Sequence, residues 1–348
     1  MNPMIRYLLL SLSYSALVFS GPAKRTCDST DLRVAPPVMG YVFDQILGQI
    51  RTAAGIPGAA RVSYPVKLDF KLRNAIVGAG GAVAVASVPE GSALTVINAL
   101  NSEPVPAPIE GSMADFNFGA FNRTATAAII YGSDCNCIQV TGGWPDTPRV
   151  FRSIDASSFS GAVVSLAVSD DQSMAAVAVA GSEDGSSPPR VLLFDLAGDS
   201  APPPILAPAS SLLFTANGKD LVMTDAAAGS ISMGLNAGGV VDVGGTPASP
   251  GGEAISNPGA IAFTGTGLLL IADRAGFVHI IDLQTNERRS VGCSCRPDSM
   301  ERMADQSIFR LTAVEAGAVW ILDMSGENPR TWFIPIDALV DAPAEAAQ

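Results

Sequence analysis

Histidine is almost missing from this chain of 348 residues: His279 is the only one. General acid–base catalysis near neutral pH uses histidine more than any other side chain. His279 lies inside "FVHIIDL", which reads as a strand interior, and a serine–histidine–acid hydrolase would have to use it. GxSxG and HExxH are absent, as is a GxGxxG leading into a helix. Positive charge is scarce as well, with 21 Lys and Arg against 33 Asp and Glu and a net charge of −12. That balance opposes contact with nucleic acid or anionic lipid, because both reward cationic surfaces; its ordinary meaning is solubility. Aromatic residues make up only 6% of the chain. No segment after the N-terminus approaches the roughly 20 apolar residues of a membrane span.

The N-terminus has a pattern of its own. "MNPMIR" is followed by the 14-residue apolar run "YLLLSLSYSALVFS" and then by "GPAKR". A charged start, a short apolar run and small residues near Ser20 fit a secretory signal peptide. Residues 1–20 are therefore expected to be removed and the mature protein to be secreted or periplasmic. Residues 21–37 are expected to be flexible, residues 38–338 to form one domain, and residues 339–348 to be a disordered tail. Cys27 is separated from the apolar run by Lys24 and Arg25, unlike a lipoprotein pattern.

One unit recurs along the rest. "SLLFTANGKDLVMTD" (211–225) matches "AIAFTGTGLLLIAD" (260–273), and "SLAVSDDQSMAAVAVA" (165–180) follows the same plan. So do "FGAFNRTATAAIIYG" (118–132), "AIVGAGGAVAVAS" (75–87) and "FRLTAVEAGAVWILD" (309–323). The equivalent positions Val77, Phe121, Val168, Phe214, Phe263 and Leu311 recur at intervals of 44 to 49 residues. A period in this range marks β-propeller blades.

The second strand of each unit, such as "LLLIAD", is apolar on both alternating faces, so both faces should be buried. The connections are short, rich in Gly, Ser, Pro and Asn, and carry no amphipathic helical pattern. The covering layer must therefore be another sheet. Small sheets packed face to face around an axis satisfy this and limit exposed edges. Six units give an all-β fold, a six-bladed propeller. The last unit, ending at "TWFIPI", is read as one strand short, with "GYVFDQILGQIRTAAG" (40–55) as the strand that closes the ring. Seven blades are the alternative, if residues 38–67 contribute more than this single strand.

The stretch "LLLIADRAGFVHIIDLQTNERRSV" resembles the secreted propeller repeats of the YVTN/YncE and NHL type, with "RVLLFDLAGDS" and "ALTVINALNSE" as fainter copies. The resemblance implies a propeller scaffold and carries no functional residues, since these families share a frame and not a chemistry.

Four of the five cysteines form Cys-x-Cys pairs, Cys135 with Cys137 in "DCNC" and Cys293 with Cys295 in "GCSC". In an exported protein local disulfides are the default, yet extended residues i and i+2 lie about 6.6–7 Å apart at Cα, so a turn is required. Free thiols or a soft-metal site are the alternatives, and a four-sulfur metal site needs the pairs to converge. Asp170, Asp171, Glu183 and Asp184 are the candidates for a paired-acid site, but "SDDQS" and "GSEDGSS" read as solvated turns. Trp144, in "TGGWPDTP", is the tryptophan placed for surface contact; Trp320 and Trp332 fall in strands. "NRT" at 122–124 matches a glycosylation acceptor.

The reading is an exported, non-catalytic propeller, a monomer, that binds a protein or an extracellular polymer through loops on one ring face. It involves no nucleic acid, cofactor or metal, and no membrane span once the signal is removed. The alternative is a hydrolase or lyase acting on a glycan or lactone in the central channel.

Overall fold

The apolar second strands do divide between two partners. In Val83–Ser87 every residue is buried. Val83 and Val85 pack with Ala128 and Ile130 of the following sheet, while Ala84 and Ala86 pack with Tyr41 and Ile50 of the preceding one. Leu269–Asp273 behaves alike: Leu269 and Ile271 face one neighbour, and Leu270 and Ala272 face the other. Period-2 alternation splits one apolar run into two interfaces.

The computed structural model describes residues 36–182, 185–198, 202–235, 239–244, 246–247, 252–303, 307–314 and 318–337. The expected signal peptide, Cys27, Glu183, Asp184 and the C-terminal tail lie outside the described residues. Among the described residues there is no helix, and the strands form seven sheets. Seven apolar clusters lie between successive sheets, and one of them joins the seventh sheet to the first. The molecule is a seven-bladed β-propeller.

Two expectations are corrected. The first is the blade count, which is seven, the alternative left open by the sequence, and not six. Residues 38–65 are a blade in their own right, pairing Val38–Asp44 with Gln49–Ala54 and that strand with Arg61–Pro65. "GYVFDQILGQIRTAAG" holds two strands and a tight turn. Gly48 makes that turn possible: its φ is +63°, and a Cβ there would stand 2.6 Å from the Leu72 carbonyl oxygen. The second correction concerns the last blade, which is complete. Its innermost strand is the two-residue piece Glu301–Arg302, followed by Ile308–Arg310, Ala318–Asp323 and Arg330–Pro335. "TWFIPI" is thus the outer strand, and Leu311 follows a second strand, not an innermost one.

Closure runs the other way from the expectation. After an outer strand the chain steps across and runs parallel to the outer strand of the next blade. Glu110 does so beside Arg149, and Thr246–Pro247 does so beside Glu287–Gly292. At the end of the ring Ile336 makes the same step onto Val62 of the first blade. The Asp337 N–H donates to the Val62 carbonyl at 2.9 Å.

Arg51 holds this junction. Its side chain is 2% exposed. Nε donates to the Ser63 carbonyl at 2.9 Å, and Nη1 donates to Asp44 at 3.2 Å. Nη2 reaches the Asp337 carbonyl at 2.7 Å. One buried guanidinium therefore joins the inner, middle and outer strands of the first blade to the end of the last. Removing one partner of a buried charge pair leaves the other desolvated and alone, which costs about 3–5 kcal/mol. The exposed Arg61–Asp337 pair, at 3.5 Å, adds little.

Arg51→Met should lower the free energy of urea unfolding by about 3–5 kcal/mol, and adding Asp44→Asn should restore part of the loss. A single variant within about 1 kcal/mol of the parent would show that closure does not depend on this guanidinium.

Candidate functional site

Three places concentrate polar side chains. The first is a relay across the sixth blade. His279 lies opposite Ser290 on one side and Ile271 on the other, and Asp273 is two residues beyond Ile271 on the same face. His279 Nδ1 is 2.8 Å from Ser290 Oγ, and Nε2 is 3.3 Å from Asp273 Oδ2. A carboxylate only accepts, so Nε2–H donates to Asp273 and Nδ1 accepts from the serine hydroxyl.

The order of groups is that of an acyl-transfer triad, but the surroundings are those of a core. His279 and Asp273 are both 0% exposed. Asp273 also accepts the N–H groups of Ser256, Asn257 and Ala275. The relay ties three strands of one blade to the segment entering it, which is a structural role. Burial alone would raise the Asp273 pKa; the donors around its carboxylate outweigh burial and hold it below the ordinary value. Desolvation lowers the pKa of His279, despite the opposing pull of Asp273.

The second place is the central channel. Ile76, Phe121, Leu166, Leu213, Ile261 and Phe263 are among the side chains that enclose a space of about 200 Å³. One mouth opens into a vestibule of about 390 Å³ walled by Gly80, Arg123, Thr124, Thr264 and Arg302. Arg123 Nε pairs with Asp170 at 2.9 Å, and Arg302 donates to the Arg123 carbonyl. The mouth is basic, on a protein with a net charge of −12.

The sequence-derived acids are already engaged. Asp170 takes the Arg123 ion pair. Asp171 closes its own turn, with Ser169 Oγ at 2.6 Å and Ser173 Oγ at 2.8 Å, and these bonds hold its carboxyl below the usual range. Asn122 of the apparent glycosylation motif is 3% exposed. Its amide is bonded to Thr126 and to the Ala127 N–H, so it faces inward.

The third place is a groove of about 600 Å³ between the sixth and seventh blades, lined by Arg274, Cys295, Arg296, Asp298, Thr312 and Trp320. Trp320 meets Phe333 of the neighbouring strand edge-on, with ring centroids 5.7 Å apart. Phe333 is 52% exposed.

Each Cys-x-Cys pair is joined within itself, with Cα atoms 5.2 Å apart for Cys135–Cys137 and 5.0 Å for Cys293–Cys295. Asn136 supplies the first turn at φ +48°, a conformation that Asn tolerates. Cys135–Cys137 follows a second strand, and Cys293–Cys295 follows a fourth, so antiparallel topology puts both on one ring face. They sit on the third and sixth of seven blades and do not converge. Among the described residues no cluster of three or more His, Cys, Asp or Glu is placed to hold a metal ion.

Trp144 is half-buried. Its indole N–H donates to the Ala125 carbonyl at 2.9 Å, and its ring stands edge-on to Phe121, so most of it belongs to the interface of the second and third blades.

No family model matches the chain, and no curated protein matches it in sequence. Among solved structures it is similar to the hydrazine synthase of Kuenenia stuttgartiensis, at 15% identity and TM-score 0.54, covering 89% of this chain and 98% of that one. It also matches a functionally unknown protein from Desulfotomaculum acetoxidans DSM 771, at 14% identity and TM-score 0.45, over 82% and 75%. The first likeness shows the fold alone: this chain is a β-propeller scaffold. No helix among the described residues is long and apolar enough to cross a membrane.

Two measurements follow from this geometry. The unfolded state takes up a proton on histidine near pH 6.5 while buried His279 resists it, and Asp273 releases its own proton more readily in the fold. Both effects make acid destabilising. Stability should be level above about pH 7 and fall as the pH drops through about 6.5, and His279→Gln should remove the part of that slope lying above about pH 5. An unchanged slope in the variant would rule out His279 as its source. In addition, non-reducing peptide mapping of the purified protein should find Cys135 linked to Cys137 and Cys293 to Cys295. Four alkylatable thiols with a bound soft metal would contradict this pairing.

Proposed function

We propose that the protein is an exported, non-catalytic scaffold of the YVTN or NHL kind that binds a protein or an extracellular polymer through one ring face. The binding face is the one bearing both disulfides. The observation that carries this reading is the groove between the sixth and seventh blades. It joins two arginines, a disulfide-braced loop and a tryptophan backed by an exposed phenylalanine. Aromatic residues and arginine dominate the energetics of protein recognition when they line a concavity. The disulfides close very small rings. They therefore remove little unfolded-chain entropy beside the roughly 3 kcal/mol of a 15-residue loop, and their effect is to stiffen the loops that present the surface. Export is supported by the N-terminal pattern and by these loops, which suit an oxidising compartment.

The channel enzyme is the weaker alternative. Its mouth offers guanidinium groups, and the acid nearest them, Asp170, is committed to Arg123.

A photo-crosslinking residue at position 333 should capture a partner from the extracellular fraction of the source cells. The same probe at position 219, in a loop on the opposite face, should capture none. Phe333→Ala with Arg296→Ala should weaken binding of the captured partner about tenfold or more without shifting the melting temperature. Equal capture from both positions, or turnover of a glycan or lactone by the purified chain, would refute the proposal.

A further inference from the structure

The basic channel mouth is unused by the binding reading above and lies on the other ring face, since Gly80, Arg123 and Thr264 belong to loops between first and second strands. We propose that the channel and this mouth form a binding site for a small amphipathic carboxylate. Its head sits between Arg123 and Arg302, and its apolar body lies in the channel.

The site is built from parts far apart in the chain. Arg302 donates to the carbonyl of Arg123, which is 179 residues away. Both guanidinium groups border the vestibule and the channel below it. The vestibule and channel adjoin, and their sizes of about 390 and 200 Å³ suit a small ligand, given that ligand pockets occupy roughly 300–1,000 Å³.

Charge defines the head. Arg123 is paired with Asp170, and Glu301 is paired with Arg310 at 2.5 Å. Among the described residues Arg302 makes no ion pair of its own, since Asp170 is taken by Arg123, and that leaves its guanidinium open to a carboxylate. Bringing a second guanidinium beside the first, partly out of water, is unfavourable in the empty protein. Burial and then the charge of Arg123 act against the protonated Arg302 and outweigh the favourable charge of Asp170. A carboxylate bound there relieves that repulsion and accepts charge-assisted, bidentate hydrogen bonds. Thr124 and Thr264 add hydroxyl groups to the same wall.

Hydrophobicity defines the body. Below the arginines the wall turns to Ile76, Val77, Phe121, Leu213, Ile261 and Phe263. A purely polar anion would leave this surface wet, and a neutral apolar molecule would leave the arginine uncompensated. Only a ligand with both ends satisfies both halves of the site.

Calorimetric titration of the full chain with octanoate, 1-octanol and acetate tests this directly. Octanoate should bind at least tenfold more tightly than either of the others. Arg302→Gln should weaken octanoate tenfold or more while leaving 1-octanol unchanged, with the ligand-free melting temperature reporting whether the variant is folded. Octanoate binding no tighter than acetate or 1-octanol, or octanoate binding indifferent to Arg302→Gln, would overturn the proposal. The three-probe comparison on the unaltered chain decides the matter even if the variant does not fold.

Discussion

A sheet that is apolar on both faces has to be covered on both faces, and the ring depends on that constraint. Each second strand divides its side chains between the blade before and the blade after, so no blade completes its burial alone. Six interfaces follow from chain order. The seventh has to join residues from opposite ends of the chain, and there lies Arg51, the largest fully buried side chain among the described residues. Met39, Val42 and Val62 of the first blade pack with Ile308, Val319 and Ile334 of the last. Arg51 then fixes the backbone of Asp337 beside them. Closure therefore combines non-directional burial with a directional hydrogen-bonded charge. The first supplies most of the driving force, and the second sets which strands meet.

Once the ring is closed, the polar residues sort by place. Those inside a blade serve the fold: the His279 relay pairs its own polar groups and buries the histidine away from any substrate. Those at the turns serve the turns, as Asp171 does. The two sites proposed for recognition are the groove beside the Cys293–Cys295 loop and the arginine-lined mouth of the channel. These lie on opposite ring faces, so binding at one does not obstruct the other.

Much of the fold was legible in the chain because the signals are local. A buried second strand is recognisable from its own residues, as "LLLIAD" and "AVAVAS" are, and the repeat spacing follows from aligning them. The blade count was not legible for two local reasons. The first blade has three strands and no stretch that aligns with the other units, and its hairpin turn "ILG" is apolar enough to pass for strand. The innermost strand of the last blade is "ER", two charged residues with no strand signal at all, held in place by its neighbours. The Cys-x-Cys pairs were visible as spacing, although the turn at Asn136 that lets them meet was not. Nothing in "NRT" or "MERM" relates Arg123 to Arg302; only ring geometry brings them together. The Ser290–His279–Asp273 relay needs the register of two hairpins, which apolar patterning alone does not fix.

If the junction of the last blade with the first is as secure as the other six, the ring opens only as a whole. Native-state hydrogen exchange at the amide of Asp337, which donates to Val62, tests it most directly. This amide should exchange with the same opening free energy as the inner-blade amides of Ile271 and Val85, with all three lost together in denaturant. Exchange of Asp337 by a local opening several kcal/mol below the global value, with the other blades still protected, would contradict it.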